Sequence, residues 1–140
     1  MPVLGDRTGT QFLRFALVGA AGFLVDAGVL QLAMQLTSAG FYLGRIVSYL
    51  AAATFTWSLN RRFTFAASRR ANPGAEWWRF LAANAVGGLV NYGVYAALVM
   101  TVSEVAAWPT LGVAAGSIAG LVINFTLSKR LVFNNRLPRP

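Results

Sequence analysis

Cysteine and histidine are both absent from this chain. That removes disulfide frameworks, Cys/His metal sites, thiol nucleophiles and imidazole bases together. Acid is scarce as well, with 4 Asp and Glu against 12 Lys and Arg. Four scattered carboxylates do not make a metal site, so no metal, no cofactor and no enzyme activity is expected. Charge of either sign makes up 11% of the 140 residues, where a soluble domain carries about 25%. In a soluble protein a net charge of +8 would suggest nucleic acid. With 56% hydrophobic residues and a mean hydropathy of +0.56, the solvent is lipid, and the basic residues mark membrane flanks.

Long apolar runs are plentiful. Four are long enough to cross a hydrocarbon core of roughly 30 Å, which takes about 20 helical residues: Phe12–Leu36, Phe41–Leu59, Trp78–Val102 and Leu111–Leu127. The first is too long for a signal-peptide apolar region and no A-x-A site closes it, so it is expected to be retained. Arg7 and Arg14 lie before or at the start of the first run, Arg61, Arg62, Arg69, Arg70 and Arg79 lie between the second and the start of the third, and Lys129, Arg130, Arg136 and Arg139 follow the fourth. The other connections, "TSAGFY" and "SEVAAWP", hold neither lysine nor arginine. The asymmetry predicts a multi-pass protein of the cytoplasmic membrane with both termini and the middle loop on the cytoplasmic side. Trp57, Trp77 and Trp78 suit one interfacial belt and Trp108 the other. In the middle loop, "ANPG" reads as a turn.

The chain also repeats itself. "FLRF" at 12–15 matches "WWRF" at 77–80, and Gly22, Leu24, Val25, Asp26, Gly28 and Val29 match Gly87, Leu89, Val90, Asn91, Gly93 and Val94. Past a three-residue insertion, "NRRFTF" at 60–65 matches "SKRLVF" at 128–133. The expected fold is an all-α membrane protein of four transmembrane helices built from two parallel two-helix repeats. It is a single transmembrane domain over residues 1–140, with repeat one at 12–65, a cytoplasmic loop at 66–76 and repeat two at 77–133. Gly112, Gly116, Gly120 and Asn124 recur every fourth residue, matched by Gly44, Ser48, Ala52 and Thr56. Small residues at that interval let helices approach closely in lipid, so Gly44, Ser48, Gly112, Gly116 and Gly120 are read as packing positions.

Asp26 lies twelve residues beyond Arg14, about 18 Å along a helix, and an acid at that depth faces the bundle interior or a wet cavity. Three roles remain open for it: contact with a hydrophilic cargo, pairing with Arg45, or proton uptake and release. Asn84 and Asn91 share one face of the third run and suit either interhelical hydrogen bonds or the same cargo. An approximate two-fold axis would set Asp26 and Asn91 facing each other. Arg14 and Arg79, and Arg62 and Arg130, occupy equivalent places in the two halves. They serve topology and anionic lipid, or form a ring that binds a lipid phosphate through paired, charge-assisted hydrogen bonds.

The phrases "FLRFALVGAAGFLVDAGVL", "LNRRFTF", "GGLVNYGVY" and "INFTLSKRLVF" resemble the GtrA-like family of small four-span membrane proteins over about residues 12–133. Leu131 stands where that family usually has an aromatic residue, and Ser128 where asparagine is common. The resemblance implies a polyprenyl-phosphate-sugar flippase. Such a protein moves undecaprenyl-phosphate sugar and similar lipid-linked sugars between leaflets for cell-surface polysaccharide biosynthesis or O-antigen glycosylation. It also implies a membrane-associated glycosyltransferase as partner. Four short spans offer little interior volume, so a homo-oligomer or a complex with that enzyme is expected, among membrane lipids and without nucleic acid. Arg14, Arg79, Arg62 and Arg130 would then bind phosphate, and Asp26, Asn84 and Asn91 would line the sugar's pathway. The alternatives are a non-transporting anchor for the glycosyltransferase, docking through the Arg61–Glu76 loop and the C-terminal tail, and a proton-coupled exporter of cationic amphiphiles.

Overall fold

A computed structural model describes residues 4–38, 40–66 and 72–133, and every regular element among them is helical. The chain divides into two compact units, residues 1–69 and 70–140, and each is described by itself. Arg69, Arg70, Arg136 and Arg139 lie outside the described residues.

The first unit comprises α1 (Leu4–Leu36), α2 (Gly40–Leu59) and a π-turn (Asn60–Thr64). α1 and α2 run antiparallel: Gly44 lies against Leu30 and Ala33, Gly22 against Thr56, and Phe15 against Phe65. The second unit comprises α3 (Pro73–Thr101), the short α4 (Ser103–Ala107), α5 (Pro109–Leu127) and a second π-turn (Ser128–Val132). α5 returns along α3, so that Gly112 meets Tyr95, Gly116 meets Asn91 and Phe133 meets Phe80.

Small residues set these seams. Gly44, Ser48 and Ala52 are buried along α2, and Gly112, Gly116 and Gly120 along α5. Close approach replaces the hydrophobic drive that lipid does not supply. Both hairpins end in a widened turn, in which Phe65 N–H donates to the Asn60 carbonyl (2.9 Å) and Phe133 N–H to the Ser128 carbonyl (2.8 Å). The five-residue spacing turns Phe65 inward onto Phe15, ring centroids 6.0 Å apart, and Phe133 onto Phe80 at the same separation. Arg62, Phe63, Arg130 and Leu131 are left exposed. Arg61 lies over Trp57 and Lys129 over Phe125, cations at helix C-terminal ends where the dipole favours them.

Among the described residues three helical stretches are long and apolar enough to cross a membrane: Arg7–Leu36, Pro73–Thr101 and Pro109–Val132. This is a multi-pass membrane protein by composition. α2 has 20 residues but is not among the three, because Arg45, Ser48, Tyr49, Thr54, Thr56 and Ser58 dilute its apolar character.

Helical structure departs from the sequence expectation in three places. α1 begins at Leu4, ahead of Phe12, because the polar stretch before the apolar run continues the helix. "SEVAAWP" contains α4, where Glu104 accepts from its own backbone N–H and from the Ser103 hydroxyl at 3.1 Å. Both contacts hold its carboxyl below the usual carboxylate range. They are therefore intact at neutral pH and are lost as pH falls through that lowered value.

The "ANPG" turn is instead a helix start. Asn72 caps α3, its Oδ1 accepting from Gly74 N–H (3.0 Å) and Ala75 N–H (3.3 Å), with Pro73 in the first turn. Proline there loses no hydrogen bond, since that N–H has no helical acceptor. Glu76, expected in a docking loop, is 2% exposed in the first turn of α3, where the positive end of the helix suits an acid. Asn72→Ala is expected to cost about 1 kcal/mol, read as a lower unfolding midpoint that Asn72→Asp largely restores.

Candidate functional site

Polar groups within the apolar helices gather at three places. In the first unit, Arg45 Nη1 donates to Asp26 Oδ2 at 2.5 Å. The Asp26 side chain is 17% exposed and that of Arg45 56%, so the acid is tucked into the α1–α2 seam under a guanidinium that reaches outward. Ser48, fully buried beside it on α2, donates to the Arg45 carbonyl at 3.1 Å. The other oxygen of Asp26 is buried with no hydrogen-bond partner among the described residues. Of the three roles open to Asp26, pairing with Arg45 is the one this geometry displays.

In the second unit, Asn91 lies on the α3–α5 seam. An added Cβ at Gly116 would stand 2.6 Å from its Oδ1, and one at Gly120 3.0 Å from its Cβ. Beside it opens a cleft of about 330 Å³ lined by Gly88, Asn91, Tyr92, Tyr95 and Val113. The two tyrosine rings have centroids 6.4 Å apart and are inclined at 41°. Asn84 does not join them in any contact across the seam; its Nδ2 donates to the Phe80 carbonyl one turn back, at 2.8 Å. Asn124 projects over Gly87, and its Oδ1 is buried with no partner among the described residues.

The third place is the end of each unit that carries its π-turn, away from the connection between its two long helices. Arg14 and Arg62 are exposed at that end of the first unit, and Arg14 Nη1 donates to the Phe63 carbonyl of the π-turn at 3.0 Å. Arg79 and Arg130 are exposed at that end of the second unit. Arg79 borders a second cleft, of about 290 Å³, otherwise formed by Ala82, Ala83, Val86, Leu127 and Leu131. A guanidinium at the rim of an apolar groove is amphipathic in the same sense as a lipid phosphate with its tail.

Tyr92, Val113 and, on the walls of the Arg79 cleft, Ala82, Ala83 and Val86 had no part in the sequence reading. Val113 had a usable signal, because the register that matches Gly44 with Gly112 also matches Arg45 with Val113. The π-turns had a weaker one, a basic pair followed three or four residues later by phenylalanine in both halves. Among the described residues no group of three or more acidic side chains is placed to hold a metal ion.

Residues 14–136 match the family model described as GtrA/DPMS, transmembrane domain. Comparison with curated proteins finds no match.

Proposed function

The chain belongs to the GtrA/DPMS transmembrane-domain family, and from that premise we propose that it translocates polyprenyl-monophosphate-linked sugars across the cytoplasmic membrane. The observation that carries this reading is the Arg79 cleft: one cation at the π-turn end of an otherwise apolar groove. A polyprenyl-phosphate sugar has a tail for such a groove, an anion for such a cation, and a hydroxyl-rich headgroup that hydrocarbon excludes. In this reading the protein binds and carries its lipid and does not transform it.

Four spans in two parallel repeats fit this role, with both termini and the middle loop cytoplasmic. Matched contacts support the duplication: Phe15–Phe65 with Phe80–Phe133, and Arg61 over Trp57 with Lys129 over Phe125. α2 qualifies as the fourth span because its one cation is neutralised by Asp26. The partner is the glycosyltransferase that makes the lipid. The reading as an anchor for that enzyme loses Glu76 from its docking surface, and the exporter reading requires a free acid where Asp26 is paired.

Arg79→Gln tests the phosphate contact. Charge-assisted hydrogen bonds contribute about 1.5–3 kcal/mol, so binding of sugar-free polyprenyl phosphate in lipid nanodiscs should weaken roughly 10- to 100-fold. Binding of neutral polyprenol should not change. Unchanged phosphate binding would leave Arg79 with a topological role alone.

A further inference from the structure

The ion pair of the first unit has no counterpart at the matched place in the second. Asp26 corresponds to Asn91, and Arg45 to Val113. In the first unit the Arg45 guanidinium reaches across and covers the acid. In the second, valine is too short to reach and carries no charge. What lies there is the open cleft of about 330 Å³ with Asn91 and the two tyrosines on its walls. Gly88 adds no side chain to it, and a Cβ built on Gly88 would meet nothing within 4 Å.

We propose that this cleft seats a single uncharged sugar ring, and that the ion pair closes the corresponding place in the first unit. The inference rests on the lipid-linked-sugar reading and adds where the headgroup is recognised and which headgroups are accepted. Tyr92, 70% exposed, offers a ring face on which the C–H face of a pyranose packs, and Tyr95 offers a second at an angle to it. The Asn91 amide carries both a donor and an acceptor, and each phenol can do either, which is what a set of sugar hydroxyls requires.

Size and charge narrow the ligand further. The volume is at the lower end of small-molecule sites, roughly 300–1,000 Å³, so it holds one ring with a few waters and not an oligosaccharide. None of the five lining residues is charged. A uronic acid or an amino sugar would therefore bring an unpaired charge to an uncharged cleft open on the face of a membrane-spanning hairpin, where such charges are costly. The seat selects neutral hexoses.

Two substitutions test this. Val113→Arg places a guanidinium at the position that Arg45 holds in the first unit and fills the cleft. Tyr92→Ala removes a wall that is exposed and packs little, so the fold survives it. Binding of polyprenyl-phosphate glucose, polyprenyl-phosphate glucuronic acid and sugar-free polyprenyl phosphate is measured in nanodiscs of phosphatidylethanolamine and phosphatidylglycerol. The wild type should prefer the glucosyl lipid over both others by on the order of tenfold, and each variant should reduce that preference to about twofold or less. A preference that survives both variants, or a glucuronosyl lipid bound as tightly as the glucosyl one, overturns the seat while leaving the lipid-linked-sugar reading intact. Failure of the wild type to bind any of the three lipids removes that reading, and the seat with it.

Discussion

Gly116→Val is expected to separate α5 from α3 and to abolish the folded second unit. At this position a Cβ would stand 2.6 Å from Asn91 Oδ1, and the Asn91 backbone carbonyl oxygen is closer still. A side chain can rotate away, but a carbonyl held in the middle of a 29-residue helix cannot. The helices must move apart, and Gly120, 2.8 Å from the Gly87 carbonyl by the same construction, loses its contact in consequence. Overpacking of a close seam costs about 1–3 kcal/mol and sometimes more, and the upper end applies where the obstacle is backbone on both sides. The measurement is unfolding of the purified protein in mixed micelles, with retention on a sizing column as a second readout. Gly93→Ala is the matched control, because a Cβ there meets nothing within 4 Å. It should be neutral or slightly stabilising, since alanine is favoured over glycine in a helix by up to about 1 kcal/mol. Equal effects from the two would show that the seam is not built on close approach.

Asp26→Ala carries the second large effect. It leaves Arg45 charged in the membrane interior without its partner, and on insertion scales an unpaired arginine at that depth costs about 2.5–3.5 kcal/mol. More than half of the Arg45 side chain lies outside the unit, so part of this is recovered by reaching toward a headgroup, leaving about 2 kcal/mol. The double substitution Asp26→Ala with Arg45→Leu should restore most of the loss, because an apolar pair of suitable volume often replaces an ion pair at no cost. The cycle also separates pairing with Arg45 from the other two roles open to Asp26. Rescue of both stability and transport by Arg45→Leu identifies a structural pair. Rescue of stability with transport still lost identifies a carboxylate that acts on cargo or on protons.

Much of the architecture was legible because lipid allows few solutions. A chain with so little charge and runs of about 20 apolar residues must satisfy its backbone within helices. The small residues from Gly112 to Gly120 sit where a period of four puts them, along one helix face turned to the neighbour. Edges were harder to read. Hydropathy marks where lipid ends, whereas Asn72 and Pro73 mark where the helix begins, and α1 and α3 both start well before their apolar runs. The burial of Glu76 was hidden for the same reason: a loop and the first turn of a helix have similar composition.

The candidate site was only half visible. Asp26, Asn91 and the arginines announce themselves by being polar in an apolar chain. A cleft announces itself by what is missing, and the residue missing here is the counterpart of Arg45. Only carrying the repeat register through the three-residue insertion to Val113 would have pointed there. Asn84 donates to the Phe80 carbonyl of its own helix, a local bond open to a short polar side chain in a helix.

The most direct measurement is leaflet exchange of a labelled polyprenyl-phosphate glucose in vesicles containing only this purified protein. The expected result is that lipid from the inner leaflet becomes accessible to an impermeant reagent outside far faster than in protein-free vesicles, with Arg79→Gln slowing the exchange. Exchange no faster than in protein-free vesicles, by a protein that still binds the lipid, would contradict translocation.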